Sequence, residues 1–544
     1  MTYPLQYFRL AIGDTDNNVI ASGSSIAPSH HTGNKNEKWY LNYKKENVFQ
    51  IANASNNQLL TASGDKVSLS DNSNAEEQNW KIEGVDKDFD GYYLYYKITS
   101  NSSKALTYTA NKGFSLADYS GAEYQKYKIN LDGLEGFAAN CMTPSGEKAG
   151  TIGGLFGPVV EVNNKDELLN AMNSVGPQTI VLNANIDLKY EKNTRIRDNK
   201  TIVGSFKYKT IYDCRLRSND PLGKDDPSDN IILRNLDFEA RDDGDRILIS
   251  FNSSRQIWID HVNFNNTIAY DRKGDGYDGV GKFIWINTPY PDRPDSKDLD
   301  RSPDYITISY VKFTNKFWCF AYGTQNNEAT RDRTTLLYNW WNKNVRRCPQ
   351  LGNGICHIYN NYYEAYGQKD NGKHTTGVIG GDKSEMLTQN NMFNGYTKGQ
   401  ALMMGGDVNL PARDDNSYIS TELNGTPEKF NFAPKKKSTW NPNESNYGYS
   451  LLDGYNKDNT DAKAFCTKYA GCFDSQDKIK FITDSEFANW VKTKYATPFL
   501  KHVDFSDAQK LKSKSNKKED KSLSVVKTEV YKSDDCVHTV VFVK

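Results

Sequence analysis

Three groups of side chains in this 544-residue chain have types and spacings that could do chemistry. The first is acidic: Asp242-Asp243-Gly244-Asp245, with Asp278-Gly279 further along. Clustered carboxylates can gather a hard cation, or work as an acid–base pair in hydrolysis. Ordinary acidic turns are written with the same residues. The second group is basic: Arg331, Arg333, Lys343, Arg346 and Arg347, with Lys316 upstream. Such a run can bind an anion or stand as a solvated loop. The third is cysteine, eight in all and widely spread, with only Cys466 and Cys472 close together and no C-x-x-C metal spacing. That pair could close a small disulfide loop in an oxidising compartment or stay reduced elsewhere. Lys+Arg and Asp+Glu balance at 68 each, so no global field points to a nucleic-acid partner. A polyanionic ligand would have to be drawn by a local patch.

Which of these side chains meet depends on the elements that carry them. From about residue 156 a short β-branched run followed by Asn and an aromatic recurs: Ile231-Ile232-Leu233-Arg234-Asn235-Leu236-Asp237-Phe238, then Ile257-Trp258-Ile259-Asp260-His261-Val262-Asn263-Phe264. The closing aromatics fall at 238, 264, 313, 341, 363 and 393, with gaps of 22 to 30 residues and one of 49, which fits two coils. That period predicts a solenoid whose coils bury their apolar residues only by stacking. The recurrent Asn residues predict hydrogen-bonded ladders at its turns. His261 and His357 fall inside strands and are expected to be packing groups.

Residues 1–132 read differently, as short strands with Glu37-Lys38-Trp39, Gln78-Asn79-Trp80 and Gln125-Lys126-Tyr127 spaced 41 and 47 residues apart, a threefold internal repeat. Residues 133–155, with Gly150-Thr151-Ile152-Gly153-Gly154, read as a linker between the two patterns. Residues 501–544 read as a Lys/Ser-rich linker and C-terminal tail, ending in an alternating stretch from Val525. No run of 18 apolar residues occurs, so no membrane span is expected. Met1–Gly13 lacks the form of a signal peptide.

The N-terminal repeat resembles the ricin-B-type β-trefoil, a carbohydrate-binding module with a Q-x-W signature in each lobe. Its aromatics are expected to be core, with sugar binding a property of the module. The central region resembles the pectate lyases of polysaccharide lyase family one. Asn199-Lys200-Thr201-Ile202-Val203-Gly204 is similar to that family's N-K-T-I-x-G, and Trp258-Ile259-Asp260-His261 to its W-I-D-H. The stretch from Arg347-Cys348-Pro349 through Gly354 to His357-Ile358-Tyr359-Asn360-Asn361 resembles R-x-P-x-x-R-x-G-x-x-H-x-Y-N-N. Gly352 stands where that pattern has its second Arg, so by the resemblance a grip on the substrate carboxylate is either absent or supplied from elsewhere, with Arg346 the expected source.

The resemblance implies an all-β chain: a right-handed parallel β-helix over residues 156–500, preceded by the β-trefoil-like domain. It implies cleavage of (1→4)-α-D-galacturonan by β-elimination, in which the C5 proton leaves and the O4 glycosidic bond breaks. Charge developing on the adjacent carboxylate must then be neutralised by a cation or fixed donors. By the family pattern Ca2+ is the cofactor, held by Asp243, Asp245 and Asp278, with Lys282 where a fourth carboxylate is usual. Asp298 and Asp300, in the insertion that follows, could substitute. Arg347 takes the place of the catalytic base, and Lys316 and Arg346 those of substrate-binding residues. A free Arg stays protonated at ordinary pH, so Arg347 needs cationic neighbours and transient deprotonation, or else a water relays the proton. Polygalacturonase-type hydrolysis would need G-H-G and R-I-K elements that the chain lacks. The alternatives left open are a non-catalytic carbohydrate-binding β-helix and a pectin lyase acting on methylated substrate without metal. A wall polymer is met outside the cell, so a secreted monomer is expected, with plant cell-wall polysaccharide bound through the N-terminal domain and neither nucleic acid nor membrane as partner.

Overall fold

The computed structural model describes most of residues 2–479 and the backbone of a hairpin at 525–543. Outside the described residues lie chiefly 219–226, 242–246, 268–280, 288–302, 323–332, 367–374, 405–411, 431–459 and 480–524.

From residue 159 onward the strands are short and pair in parallel, coil upon coil, along three faces of a β-helix. Each face is a column of residues in register. On the first, Ile202, Leu233, Ile259, Ile308, Leu336 and Ile358 stack inward, while Thr201, Ile232, Trp258, Thr307, Thr335 and His357 stack outward. The β-branched pattern follows from this alternation, because each strand is covered on both sides. The third face carries the aromatics. Phe238, Phe264, Phe313, Trp341, Tyr363 and Phe393 are all fully buried, and successive rings stack at 4.3–5.6 Å between centroids. Parallel crossovers of this kind close right-handedly.

The 49-residue spacing does not hold two coils. Phe264 pairs directly with Phe313, so the 49-residue gap is a single coil. Between them in sequence lies one described strand, Lys282–Ile286, which belongs to the second face. Ring spacing counts coils only where the loops between faces are short.

The Asn ladder forms as expected. The Asn339 side-chain amide donates to Asn361 Oδ1 (2.9 Å), and that of Asn361 to Asn391 Oδ1 (3.1 Å). The same oxygens accept the backbone N–H groups of Asn339 and Asn361. Buried turns thereby satisfy polar groups that water cannot reach. Beside the ladder, His261, Tyr310, Tyr338, Asn360 and Asn390 hold left-handed φ values of 48–55° at corresponding corners. His261 stacks on Tyr310 at 4.5 Å and its Nδ1 meets Asp260 Oδ2 at 2.9 Å. Asp260 also pairs with Arg234 and accepts from Ser309, which leaves W-I-D-H a packing element. The helix Thr460–Tyr469 covers these corners, with Phe465 and Tyr469 against Tyr310, Tyr338 and Tyr359.

Residues 8–131 form an antiparallel sheet system with threefold internal repetition. Short 3-10 turns at Lys35–Glu37, Glu76–Gln78 and Glu123–Gln125 each lead into the repeated aromatic. Trp39 Nε1 donates to Val19 O, Trp80 Nε1 to Leu60 O and Tyr127 OH to Leu106 O, a constant reach of 20, 20 and 21 residues. All three rings are fully buried, as core aromatics are.

The stretch read as a linker, 133–155, is instead packed. Phe137 and Ala138 donate their N–H groups to Thr335 and Thr307 on the outer column of the first face, and Gly154 donates to Thr201. The glycines serve close approach rather than freedom: a Cβ on Gly154 would sit 2.0 Å from Gln178 O. Ile232 and Trp258 join the N-terminal core, and Phe156 inserts between Phe49 and Tyr96. Lys148 and Asp88 pair at 2.7 Å, both fully buried, with the ammonium between the rings of Tyr92 and Tyr305. Cys466 and Cys472 are both free thiols.

Candidate active site

The second face of the helix carries the chemistry. Its strands enter at Ile247, Lys282 and Trp318, which align in register, and Arg346 bridges to Trp318 on the next coil. Stacked coils therefore bring side chains that are 36 and 28 residues apart in sequence onto one line. Arg347 follows Arg346 with φ 61°, a left-handed conformation that costs a non-glycine residue about 1–2 kcal/mol. The turn is held by Cys319 N–H donating to Arg346 O and Phe320 N–H to Arg347 O, at 3.1 and 2.8 Å.

The Arg347 guanidinium lies over the Trp318 ring, Cζ 4.1 Å from the centroid. The Lys282 ammonium lies 5.1 Å from the same ring and 5.5 Å from that of Trp285. Desolvation first, and then the neighbouring Arg346 charge, lower the Arg347 pKa to about 10. An Arg so placed gives up its proton far more readily than one in water.

The expected site residues divide into three sets. Arg346 and Arg347 stand together at the entry line. Lys316 does not: it is 3 % exposed, its backbone N–H donates to Asn344 Oδ1 at 3.0 Å, and its ammonium lies 5.7 Å from the Phe283 ring beneath the line. The reason is that Lys316 precedes the strand, just after the left-handed turn at Asn315 (φ 58°). The strand begins at Trp318, two residues later, and it is Trp318 that registers with Lys282. Asp243, Asp245 and Asp278 lie outside the described residues, as do Asp298 and Asp300. Trp318 and Trp285 were not anticipated from sequence. Their signal was an aromatic shortly after a basic residue, Trp285 three residues after Lys282 and Trp318 two after Lys316.

Comparison with known proteins settles the lineage. A family model described as "Pectate lyase" matches residues 133–472, more than half the chain and beginning where the packed strap begins. The chain belongs to the pectate lyase family. It is thus a polysaccharide lyase on a parallel β-helix. A pectin lyase of Bacillus subtilis is 28 % identical over 380 residues, covering 68 % of this chain and 94 % of that protein. A pectin lyase of Pseudomonas marginalis is 30 % identical over 355 residues, covering 63 % and 95 %. Among solved structures, a thermostable pectate lyase aligns over 64 % of this chain and 98 % of its own, with 19 % identity and a TM-score of 0.48.

Ca2+ is the metal that the family resemblance implies. Of the four aligned entry positions, Ile247, Lys282, Trp318 and Arg346, none offers an oxygen side-chain ligand and two are cations. These described residues do not fit Ca2+ by themselves, since it wants carboxylate or carbonyl oxygens. Oxygen ligands would come from Asp243, Asp245 and Asp278, or from Asp298 and Asp300, all outside the described residues.

Proposed function

We propose that this pectate lyase family member cleaves (1→4)-α-D-galacturonan by β-elimination, releasing 4,5-unsaturated oligogalacturonides, with Arg347 as the base. The observation that carries the reading is the Arg347 guanidinium: half-buried, beside Arg346, against an aromatic face and with its pKa lowered to about 10. Neutral Arg347 takes the C5 proton, the C5 electron pair forms the C4–C5 double bond, and O4 leaves with the electrons of the broken C4–O4 bond. Arg346 and Lys282, on the same line, oppose the negative charge that builds on the C6 carboxylate. Lys316 contributes positive charge from beneath rather than by direct contact. Asp243, Asp245 and Asp278 are the residues that would hold Ca2+, which would add to the neutralisation of that carboxylate.

A second reading is supported by Lys282 and by the two pectin lyases among the relatives: cleavage of methylated pectin without metal. A methyl ester carries no charge, so less neutralisation is needed and a fixed ammonium suffices. Residues 1–132 are proposed as a ricin-B-type β-trefoil that binds wall polysaccharide, on the strength of the threefold repeat, in a secreted monomer. The deciding experiment follows unsaturated product by ultraviolet absorbance on polygalacturonate and on methylated pectin, across a Ca2+ titration and in excess chelator. Calcium-stimulated turnover of polygalacturonate supports the first reading. Full activity on methylated pectin in chelator supports the second. Tight binding with no product on either substrate would leave only a carbohydrate-binding β-helix.

A further inference from the structure

We propose that Trp318 is a positioning residue for Arg347: its indole, on the coil between Lys282 and Arg347, fixes the plane of the guanidinium and leaves the edge of that group open to substrate. The inference rests on the reading of Arg347 as the base. Three observations carry it. Trp318 occupies the entry line itself, in register with Lys282 on one side and bridged to Arg346 on the other. The Arg347 guanidinium lies 4.1 Å over its ring. Arg347 Nε is buried with no hydrogen-bond partner, and among the described residues no carboxylate pairs with this guanidinium.

The chemical reason is that an arginine can be held in two ways. A carboxylate holds it by the N–H fork, which occupies the edge and favours the charged form. A ring face holds it by stacking, which restrains the plane and leaves every nitrogen at the edge available. Only the second is compatible with a group that must present a nitrogen to a C–H proton. The ring also takes the Lys282 ammonium at 5.1 Å, so one indole sets the spacing of two groups that face the substrate.

The test compares kcat and KM on soluble galacturonan for Trp318→Phe, Trp318→Leu, Arg347→Lys and the double variant Trp318→Leu/Arg347→Lys. We expect Trp318→Leu to lose about 30-fold in kcat with KM changed less than about threefold, a loss confined to the transition state. Trp318→Phe, which keeps a ring face, should retain at least about a third of kcat. In the Arg347→Lys background the Leu substitution should cost nothing further, because its effect passes through Arg347. Unchanged kcat with raised KM in Trp318→Leu would overturn the proposal and make the ring a platform for the sugar. A full additional loss in the double variant would overturn it too, since Trp318 would then act without Arg347. Near-wild-type turnover in Arg347→Lys alone is a separate outcome, which withdraws the role of Arg347 and the inference with it. Should Trp318→Leu not fold, Trp318→Met carries the same comparison.

Discussion

Two flanks of one solenoid are built by the same rule and put to different use. On the first face the outward column reads Thr201, Ile232, Trp258, Thr307, Thr335, and every member is buried under the strap and the N-terminal domain. On the second face the entry line reads Ile247, Lys282, Trp318, Arg346, and these side chains remain partly exposed. Inside, both faces are lined with the same aliphatic and aromatic residues. Stacking in register copies each outward position into a column, so small and apolar outward residues make a flank that must be covered. Cations and indoles make one that can stay open and hold an anion.

The largest expected loss lies at the covered flank. Lys148→Met would leave the buried Asp88 carboxylate without its counter-ion, and removing one member of a buried pair costs about 3–5 kcal/mol. The measurement is a denaturant or thermal melt. Because Ile232 and Trp258 belong to the N-terminal core, the loss should appear in a single transition covering both regions. A variant that melts only the N-terminal region early would show that the shared core does not couple them.

At the open flank the largest effect is on rate. Arg347→Lys is expected to lower kcat at least about 100-fold, or about 2.7 kcal/mol in the barrier, while leaving the melting temperature within a degree or two. A folded variant that keeps more than about a tenth of wild-type kcat would remove Arg347 from the chemistry. The wild-type rate should also rise with pH. The reactive form is the neutral one, so below a pKa of about 10 each unit of acidification cuts its fraction tenfold, and the rate levels off above that value. A profile that is flat between neutrality and pH 10 would instead mean that Arg347 stays charged and a water carries the proton.

How far the sequence spoke follows from the same distinction. The aromatic column was legible because each coil repeats one ring at a nearly fixed distance, and the Asn ladder because Asn recurs just after the same β-branched runs. The covered flank was not legible. Residues 133–155 look like a linker because close packing against Gln178 and Thr201 demands glycine at 154 and 153, and glycine also marks flexible chain. Of the entry line, Arg346 and Arg347 could be found from their motif. Lys316 was singled out from its place in the family pattern, and nothing in the sequence showed that the strand on the entry line begins only at Trp318.

Lys282 offers the finest test of what the open flank is for. It registers with Trp318 and Ile247, at the position where the family pattern has a carboxylate, and its ammonium lies against two indoles. A fixed positive charge about 4 Å from a bound divalent cation repels it, by about 2 kcal/mol even at the dielectric of water. It also removes an oxygen ligand. Lys282→Asp reverses both effects and should tighten Ca2+ binding in the absence of substrate on the order of tenfold, read by calorimetry. Substrate brings its own carboxylate, so metal and galacturonan should help one another bind in the wild type, and less so in the variant. Unchanged Ca2+ affinity in Lys282→Asp would place the missing ligand elsewhere, with Asp298 and Asp300 the next to substitute. Loss of activity on methylated pectin without any gain in Ca2+ affinity would show the opposite, that the ammonium itself is the cation of this site.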